Sequence, residues 1–295
     1  MATKSDDAQV TVGLVQMEAQ RSPEANLAHA VSRIEAAARK GAKIVCLQEL
    51  FRSSYFPQAE DAAKFSLAEP IPGPTTRALG RVAREREIVI VGSIFERRAP
   101  GIYHNTAVVI DADGKLAGRY RKMHVPDDPC YYEKFYFTPG DLGFPSFETR
   151  YARVAALVCW DQWFPEAARL AALSGAEILF YPTAIGWLDR EPRRVALAQR
   201  SAWEIVQRAH AVANGVFVAA VNRVGREGKL KFWGNSFVAD PFGEVVARGG
   251  DREELLLARC DLRKIEETRQ SWPFLRDRRI DAYEGLMRRF HDEND

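Results

Sequence analysis

The sequence has little that would mark an exported, membrane-bound or nucleotide-dependent protein. Cysteine is scarce: four in 295 residues, Cys46, Cys130, Cys159 and Cys260, with no C-x-x-C pair. Thiols so scattered form neither a disulfide framework nor a zinc site, and they fit a reducing compartment. No apolar run approaches the ~20 residues of a membrane helix. Met1 to Gln9 is polar and lacks the apolar centre of a signal peptide, so a cytoplasmic protein is expected. Neither sign of charge is in excess, since 42 Lys and Arg against 40 Asp and Glu leave +2. That balance argues against a nucleic-acid or membrane partner. The basic cluster Arg276-Asp277-Arg278-Arg279 is short and interrupted by an acid, as a solvated face would be. Five histidines, His29, His104, His124, His210 and His291, show no ligand spacing, so no metal is expected. There is no G-x-G-x-x-G and no P-loop, which removes a nucleotide cofactor. The expectation is a protein with no cofactor.

What is present is an alternation of apolar runs and amphipathic stretches. Val10 to Met17 reads as a strand, Pro23 to Lys40 as a helix stopped by Gly41, and Lys43 to Leu47 as a second strand. A helix through about Glu87 follows Pro74, and Ile88 to Phe95 is a third strand. Tyr103 to Ile110 and Lys115 to Tyr120 form a hairpin around Asp113-Gly114, a strong turn signal. A long loop runs from Lys122 to Gly140. The second half reads as strand 154–158, helix 164–174, strand 178–182, helix 193–213 and strand 216–221, with a hairpin turning at Pro241-Phe242-Gly243. Leu255 to Cys260 is a last strand.

The two halves match in residues as well as in order. Gly41-Ala42-Lys43-Ile44-Val45 resembles Gly175-Ala176-Glu177-Ile178-Leu179. Asn105-Thr106 with Asp111 and Gly114 resembles Asn235-Ser236 with Asp240 and Gly243, at nearly the same offset. A duplicated α/β unit packs sheet on sheet with helices outside. The expected fold is therefore a four-layer α/β/β/α sandwich of two similar halves, one domain over residues 1–295. Its tail, from about residue 262, carries Trp272, Phe274, Leu275, Tyr283, Leu286 and Phe290. So many large apolar groups need a surface to cover, and a homodimer or larger homo-oligomer is expected.

Cys159 ends the strand that opens the second half, at a corner followed by Pro165 and Glu166 at a helix start. A helix N-terminus there is expected to lower the thiol pKa. Glu49 ends an apolar strand, and Lys122 follows the first hairpin. Singly each has a plain explanation: packing for the thiol, solvation for the charges. Together a thiol, a carboxylate and an ammonium make a chemically complete set, since a thiol needs a base and an oxyanion needs a fixed cation. A Cys159–His124 pair is the alternative arrangement.

Gln48-Glu49-Leu50-Phe51, Tyr120-Arg121-Lys122, Glu133-Lys134-Phe135-Tyr136-Phe137-x-Pro139-Gly140-Asp141 and Cys159-Trp160-Asp161-Gln162-Trp163-Phe164-Pro165-Glu166 resemble the signatures of the nitrilase (carbon–nitrogen hydrolase) superfamily. The likeness spans roughly Val10 to Leu286. With Phe180-Tyr181-Pro182-Thr183-Ala184-Ile185-Gly186 it is closest to the N-carbamoylputrescine amidase branch. The resemblance implies Glu49 as general base, Lys122 as oxyanion stabiliser, Cys159 as nucleophile, and Glu133 as a second carboxylate orienting Lys122 or substrate. It implies the same four-layer fold and a homo-oligomer. The chain departs from that branch at Asp128-Pro129-Cys130 and across Trp187 to Trp203.

The expected function is cysteine-dependent hydrolysis of a small N-carbamoyl amine to amine, CO2 and ammonia. The same machinery on an N-carbamoyl amino acid, an ω-amide or a nitrile is the second hypothesis, and an inactive scaffold the third. Tyr55, Asp128, Trp160, Trp163 and Trp187 are expected to bind substrate, because acids and aromatics crowd the loops after the catalytic strands. Asp127 and Asp189 belong to the same loops.

Overall fold

The computed structural model describes residues 8–20, 22–189 and 191–291. The start of the polar N-terminus, Arg190 and the last residues of the tail therefore lie outside the described residues.

Two six-stranded sheets face each other. In the first half, β1 (Gln9–Gln16), α1 (Pro23–Arg39), β2 (Ile44–Leu47), α2 (Pro74–Arg86), β3 (Val89–Ala99), β4 (Ile102–Ile110) and β5 (Leu116–Arg121) follow in order. The segment beyond holds a two-residue-per-strand hairpin, β6 (Asp127–Asp128) and β7 (Tyr131–Tyr132). The second half runs β8 (Phe147–Glu148), β9 (Arg153–Ala156), α3 (Pro165–Leu173), β10 (Ile178–Pro182), β11 (Gly186–Leu188), α4 (Arg193–Asn214), β12 (Phe217–Val221), β13 (Val224–Glu227), β14 (Leu230–Trp233), β15 (Phe237–Ala239) and β16 (Val245–Arg248). β17 (Glu254–Asp261) and α5 (Arg263–Ser271) close the chain's regular structure.

The first sheet is ordered β17-β1-β2-β3-β4-β5 and the second β16-β15-β12-β10-β9-β8. Laid side by side, β1, β2, β3, β4 and β5 correspond to β9, β10, β12, β15 and β16. Each set starts with parallel pairs and ends with antiparallel ones. The duplication expected from the Gly41 and Gly175 segments is thus the symmetry of the fold. Both glycines need it sterically: they sit at φ of 92° and 98°, where a Cβ is strained.

Alternation along the strands divides the core. Ile44 and Cys46 of β2, with Val89 and Val91 of β3, face the second sheet's Val154, Ile178 and Phe217. Their neighbours Val45, Leu47 and Ile90 face the other way, onto Ala30, Ile34 and Ala37 of α1 and Leu79 and Val82 of α2. Strands buried on both faces read as continuous apolar runs because both sides need covering. Ser22 caps α1 by accepting from the Ala25 N–H at 3.1 Å, and Pro23, Pro74 and Pro165 open their helices.

Three features differ from the sequence reading. β9 ends at Ala156, and the chain stays extended through Val158 before turning at Cys159. The 122–140 loop contains the β6–β7 hairpin and a 3-10 turn at Glu133–Phe135. A small sheet, β11-β14-β13, was not anticipated, since its strands are short and interrupted by Gly225 and Gly228. In the tail, α5 buries Ile265 and Thr268, while Ile280, Leu286, Met287 and Phe290 stay exposed, Met287 by 90%. Among the described residues no helix is long and apolar enough to cross a membrane.

Candidate active site

The residues singled out by chemistry all lie just past strand ends, where an α/β sheet offers its crevice. Glu49 follows β2, and the next residue, Leu50, turns the chain through a left-handed φ of 47°. Lys122 follows β5, its N–H donating to the Asn105 carbonyl at 2.9 Å. Glu133 opens the 3-10 turn beyond β7. Cys159 opens the 3-10 helix Cys159–Trp163 at φ 45°. A non-glycine residue held there costs ~1–3 kcal/mol and persists only where its surroundings over-determine it. All four are buried, Cys159 to 4% exposure.

Lys122 sits between the two carboxylates. Its Nζ donates to Glu49 Oε1 at 2.8 Å and to Glu133 Oε2 at 2.6 Å. Asn105 Nδ2 also donates to Glu49 Oε1, at 2.7 Å, and the Tyr55 hydroxyl donates to Glu133 Oε1 at 2.7 Å. Glu133 therefore has a donor on each oxygen. Glu49 has two donors on one oxygen and none on the other, Oε2, which is buried. A buried acceptor without a donor is costly and so is informative. Of the two carboxylates, Glu49 keeps lone pairs free to take a proton. Burial opposes the Lys122 charge, but Glu133 and Glu49 override it and hold the ammonium above its usual range. Burial pushes Glu133 up to about 7, against the pull of Lys122.

The thiol behaves differently from the expectation of a lowered pKa. Burial pushes Cys159 well above its usual value, the Glu49 charge adds to this, and Lys122 opposes it. A five-residue 3-10 helix separates the thiol from α3, and desolvation outweighs its few amide dipoles. The resting site thus holds a neutral thiol beside Glu49. Alkylation of Cys159 by iodoacetamide, followed by mass spectrometry, is expected to keep accelerating above pH 9. A rate already flat at pH 7 would reveal a stable thiolate and contradict this arrangement.

Cys159 opens onto a cavity of about 360 Å³. Asp128, Trp160 and Trp163 line it, as does Glu191. Among its described lining residues the only charged side chains are Asp128 and Glu191, and none is basic. Tyr55 and Trp187 do not line it. Tyr55 stands behind Glu133, and the Trp187 indole donates to the Ala196 carbonyl at 2.9 Å while its ring packs on Trp233. Asp189 is occupied by Arg226 on the surface, and Asp127 is not on the cavity wall. His124 is taken up by Asp161: its Nδ1 lies 2.8 Å from Asp161 Oδ1, and its ring stacks on Phe164 at 3.7 Å. It is therefore no partner for Cys159. Among the described residues no group of His, Cys, Asp and Glu is arranged to hold a metal.

Several residues of this neighbourhood escaped the sequence reading. In the sequence Asn105 stands out only as a repeat marker. Asp161 accepts from the Val158 N–H at 2.9 Å and the Tyr120 hydroxyl at 2.8 Å, tying the Cys159 corner to β5. Glu191 was hidden in a loop of mixed charge. Asn105 and Asp161 join elements distant along the chain, Asn105 to Glu49 after β2 and Asp161 to Tyr120 of β5, and such contacts leave no mark in residue spacing.

A buried thiol, a caged ammonium and two carboxylates on the strand ends of a doubled sandwich define a class of thiol hydrolase. The carbon-nitrogen hydrolase family model matches residues 11–270, and the chain belongs to that family. It is 46% identical over 288 residues to an N-carbamoylputrescine amidase from Solanum lycopersicum, covering 94% of this chain and 95% of that protein. It is 40% identical over 291 residues to a citrullinase from Francisella tularensis, covering 96% and 100%. The solved structure of a carbon-nitrogen hydrolase from Helicobacter pylori G27 superposes with a TM-score of 0.94 at 46% identity, over 96% of this chain and all of that one.

Proposed function

We propose that the protein hydrolyses a small N-carbamoyl amine bearing a second, cationic amine, of which N-carbamoylputrescine is the type. The observation that carries this reading is the charge of the cavity at Cys159, where Asp128 and Glu191 stand with no basic side chain among the described wall residues. A diamine's ammonium suits such a pocket, with Trp160 and Trp163 to cover its methylenes. The likeness to N-carbamoylputrescine amidases supports it further.

In this reading Cys159 Sγ attacks the ureido carbon as Glu49 Oε2 takes the thiol proton. Concerted transfer answers the raised thiol pKa, since no free thiolate has to form in a buried site. The developing oxyanion meets the Lys122 ammonium and the Trp160 N–H, which lies in the first turn of a helix where amides lack internal partners. Glu133 orients Lys122. Collapse expels ammonia with the proton from Glu49 and leaves an S-carbamoyl thioester. Water, deprotonated by Glu49, releases the thiol and a carbamate, which decays to amine and CO2. Asp128, Trp160 and Trp163 belong to substrate binding in this scheme, with Glu191 added. Tyr55 and Trp187 act behind the wall.

Citrulline is the second reading, favoured by the likeness to a citrullinase. Its ammonium suits the same acids, whereas its carboxylate is repelled by them. The kcat/KM for N-carbamoylputrescine is expected to exceed that for an anionic N-carbamoyl amino acid of equal length by at least ~10-fold, the effect of ~1.4 kcal/mol. Asp128→Asn and Glu191→Gln are each expected to narrow the gap. A clear preference for the acid would reject the diamine assignment.

The same proposal includes one hydrolase domain whose tail, from about residue 262, covers a second copy. Its support is the apolar surface that Ile280, Leu286, Met287 and Phe290 leave exposed. Sedimentation at micromolar concentration is expected to give a dimer or larger species, and a stable monomer would contradict it.

A further inference from the structure

The segment from Glu49 to Tyr55 joins two parts of the site. Its first residue carries the unpaired carboxylate oxygen, and its last donates its phenol hydrogen to Glu133. It lies outside the strands and helices, and Leu50 within it is held at a left-handed φ of 47°. The Leu50 N–H donates to the Ser93 hydroxyl of β3 at 3.1 Å, while the carbonyls of the segment are gripped from the other half of the molecule. Arg223, buried between β12 and β13, donates from Nη2 to the carbonyls of Glu49 and Leu50, both at 3.0 Å. From Nη1 it donates to the Ser53 carbonyl at 3.0 Å and to Glu227 Oε1 at 2.8 Å. The other oxygen of Glu227 accepts the Tyr55 N–H at 2.6 Å. One ion pair thus grips the segment at both ends. A flat guanidinium fork can serve several carbonyls at once, which an ammonium cannot. A cation so fully buried has to be paired, and Glu227 supplies the charge.

We propose that the Arg223–Glu227 pair is the positioning unit of this active site, holding the Glu49 and Glu133 carboxylates on either side of Lys122. Neither residue lines the cavity or touches the thiol. They act through the backbone of Glu49 and through Tyr55, and the proposal rests on the reading that Glu49 and Glu133 serve Lys122 and Cys159. The groups that act on Glu133 are Lys122, Glu49 and Tyr55. The Tyr55 hydrogen bond stabilises its carboxylate against a burial that pushes it to about 7. When Tyr55 withdraws, Glu133 rises further and takes its proton at higher pH. The acid limb of the rate profile then moves up.

Arg223 variants orphan several buried carbonyls and can fail to fold. Glu227→Gln in the full chain is the milder test, because the amide keeps the shape but can accept from only one of its two donors. Expected for N-carbamoylputrescine is a kcat lower by roughly 10- to 100-fold, the worth of one or two lost charge-assisted hydrogen bonds. KM is expected to change less than about threefold, the mark of an interaction that matters chiefly in the transition state. The acid limb is expected to move up by roughly half a pH unit. Tyr55→Phe, which removes only a hydroxyl, is expected to move the acid limb the same way, and it decides the matter if Glu227→Gln does not fold. A folded Glu227→Gln chain with the wild-type kcat and pH profile would overturn the proposal. So would activity lost only in proportion to unfolding, or an unmoved acid limb in Tyr55→Phe. Glu49→Gln measured alongside separates the two levels: if it stays active, the underlying reading fails, and if it is dead while Glu227→Gln is normal, only the positioning role fails.

Discussion

Turnover in Cys159→Ala is expected to fall on the order of 10⁵-fold, the scale on which a hydrolase loses its nucleophile, while the fold stays intact. The thiol's hydrogen bond to the Ala184 carbonyl is long, at 4.0 Å, so its removal breaks only a weak one. The strained φ of 45° is kept by alanine as by cysteine. Removing a group whose charged form is opposed by both burial and Glu49 leaves nothing unpaired. The other thiols are the controls. Cys46 and Cys260 are buried in the sheets and Cys130 in the β6–β7 turn. Their alanine variants are expected to lose ~1 kcal/mol of stability, the usual scale for a small core truncation, and to keep substantial activity. Ammonia release from Cys159→Ala at the wild-type rate would remove Cys159 from the mechanism.

Lys122→Met is expected to damage both catalysis and stability. With the ammonium gone, turnover is expected to drop at least on the order of 10³-fold, as when a fixed oxyanion donor is removed. Breaking a buried ion pair from one side typically costs ~3–5 kcal/mol, because the remaining charge is uncompensated. Here two carboxylates remain, Glu49 and Glu133, both fully buried and no longer separated by a cation. Such a pair holds at least one proton, so a folded-state pKa lies above its unfolded value. The sign follows from linkage. A group whose pKa is raised on folding stabilises the chain at low pH and loses that contribution as pH rises through the folded value. The Lys122→Met variant should therefore be relatively most stable near pH 5 and weaken toward pH 8, with a steeper fall than the parent. Thermal midpoints across that range test it, and parallel pH dependences would show that Lys122 is not the electrostatic keystone.

Much of the architecture was legible before any coordinates. The helices and most central strands lie where 3.6- and 2-residue periodicities put them, because these elements bury one face or both against a contiguous core. The duplication showed in the Gly41 and Gly175 segments, since a helix stop before a buried strand demands the same residues in each half. The β11-β14-β13 sheet was not legible. Its strands are only three or four residues long, so no sustained alternation marks them even though Leu230, Phe232 and Trp233 are buried. The raised pKa of Cys159 is not legible either, for a related reason. Sequence shows a neighbouring helix start but not the burial that opposes it.

By itself the sequence determined the doubled α/β plan and, through its motifs, singled out Glu49, Lys122, Glu133 and Cys159 as candidates. Those are properties of residues near one another along the chain. Only the tertiary structure decided how they meet. Lys122 reaches Glu49 from β5 and Glu133 from the loop beyond it, so the cage exists only once the first sheet has formed. Asn105 from β4 leaves Glu49 one free oxygen, Asp161 joins the Cys159 corner to β5, and Arg223 from the second half grips the turn after β2. It also decided that Asp128 and Glu191, far apart in sequence, line one cavity while Tyr55 and Trp187 stand behind it. Electrostatics and hydrogen bonding depend on separation in space and on exclusion of water, and neither is written in the spacing of residues along a chain.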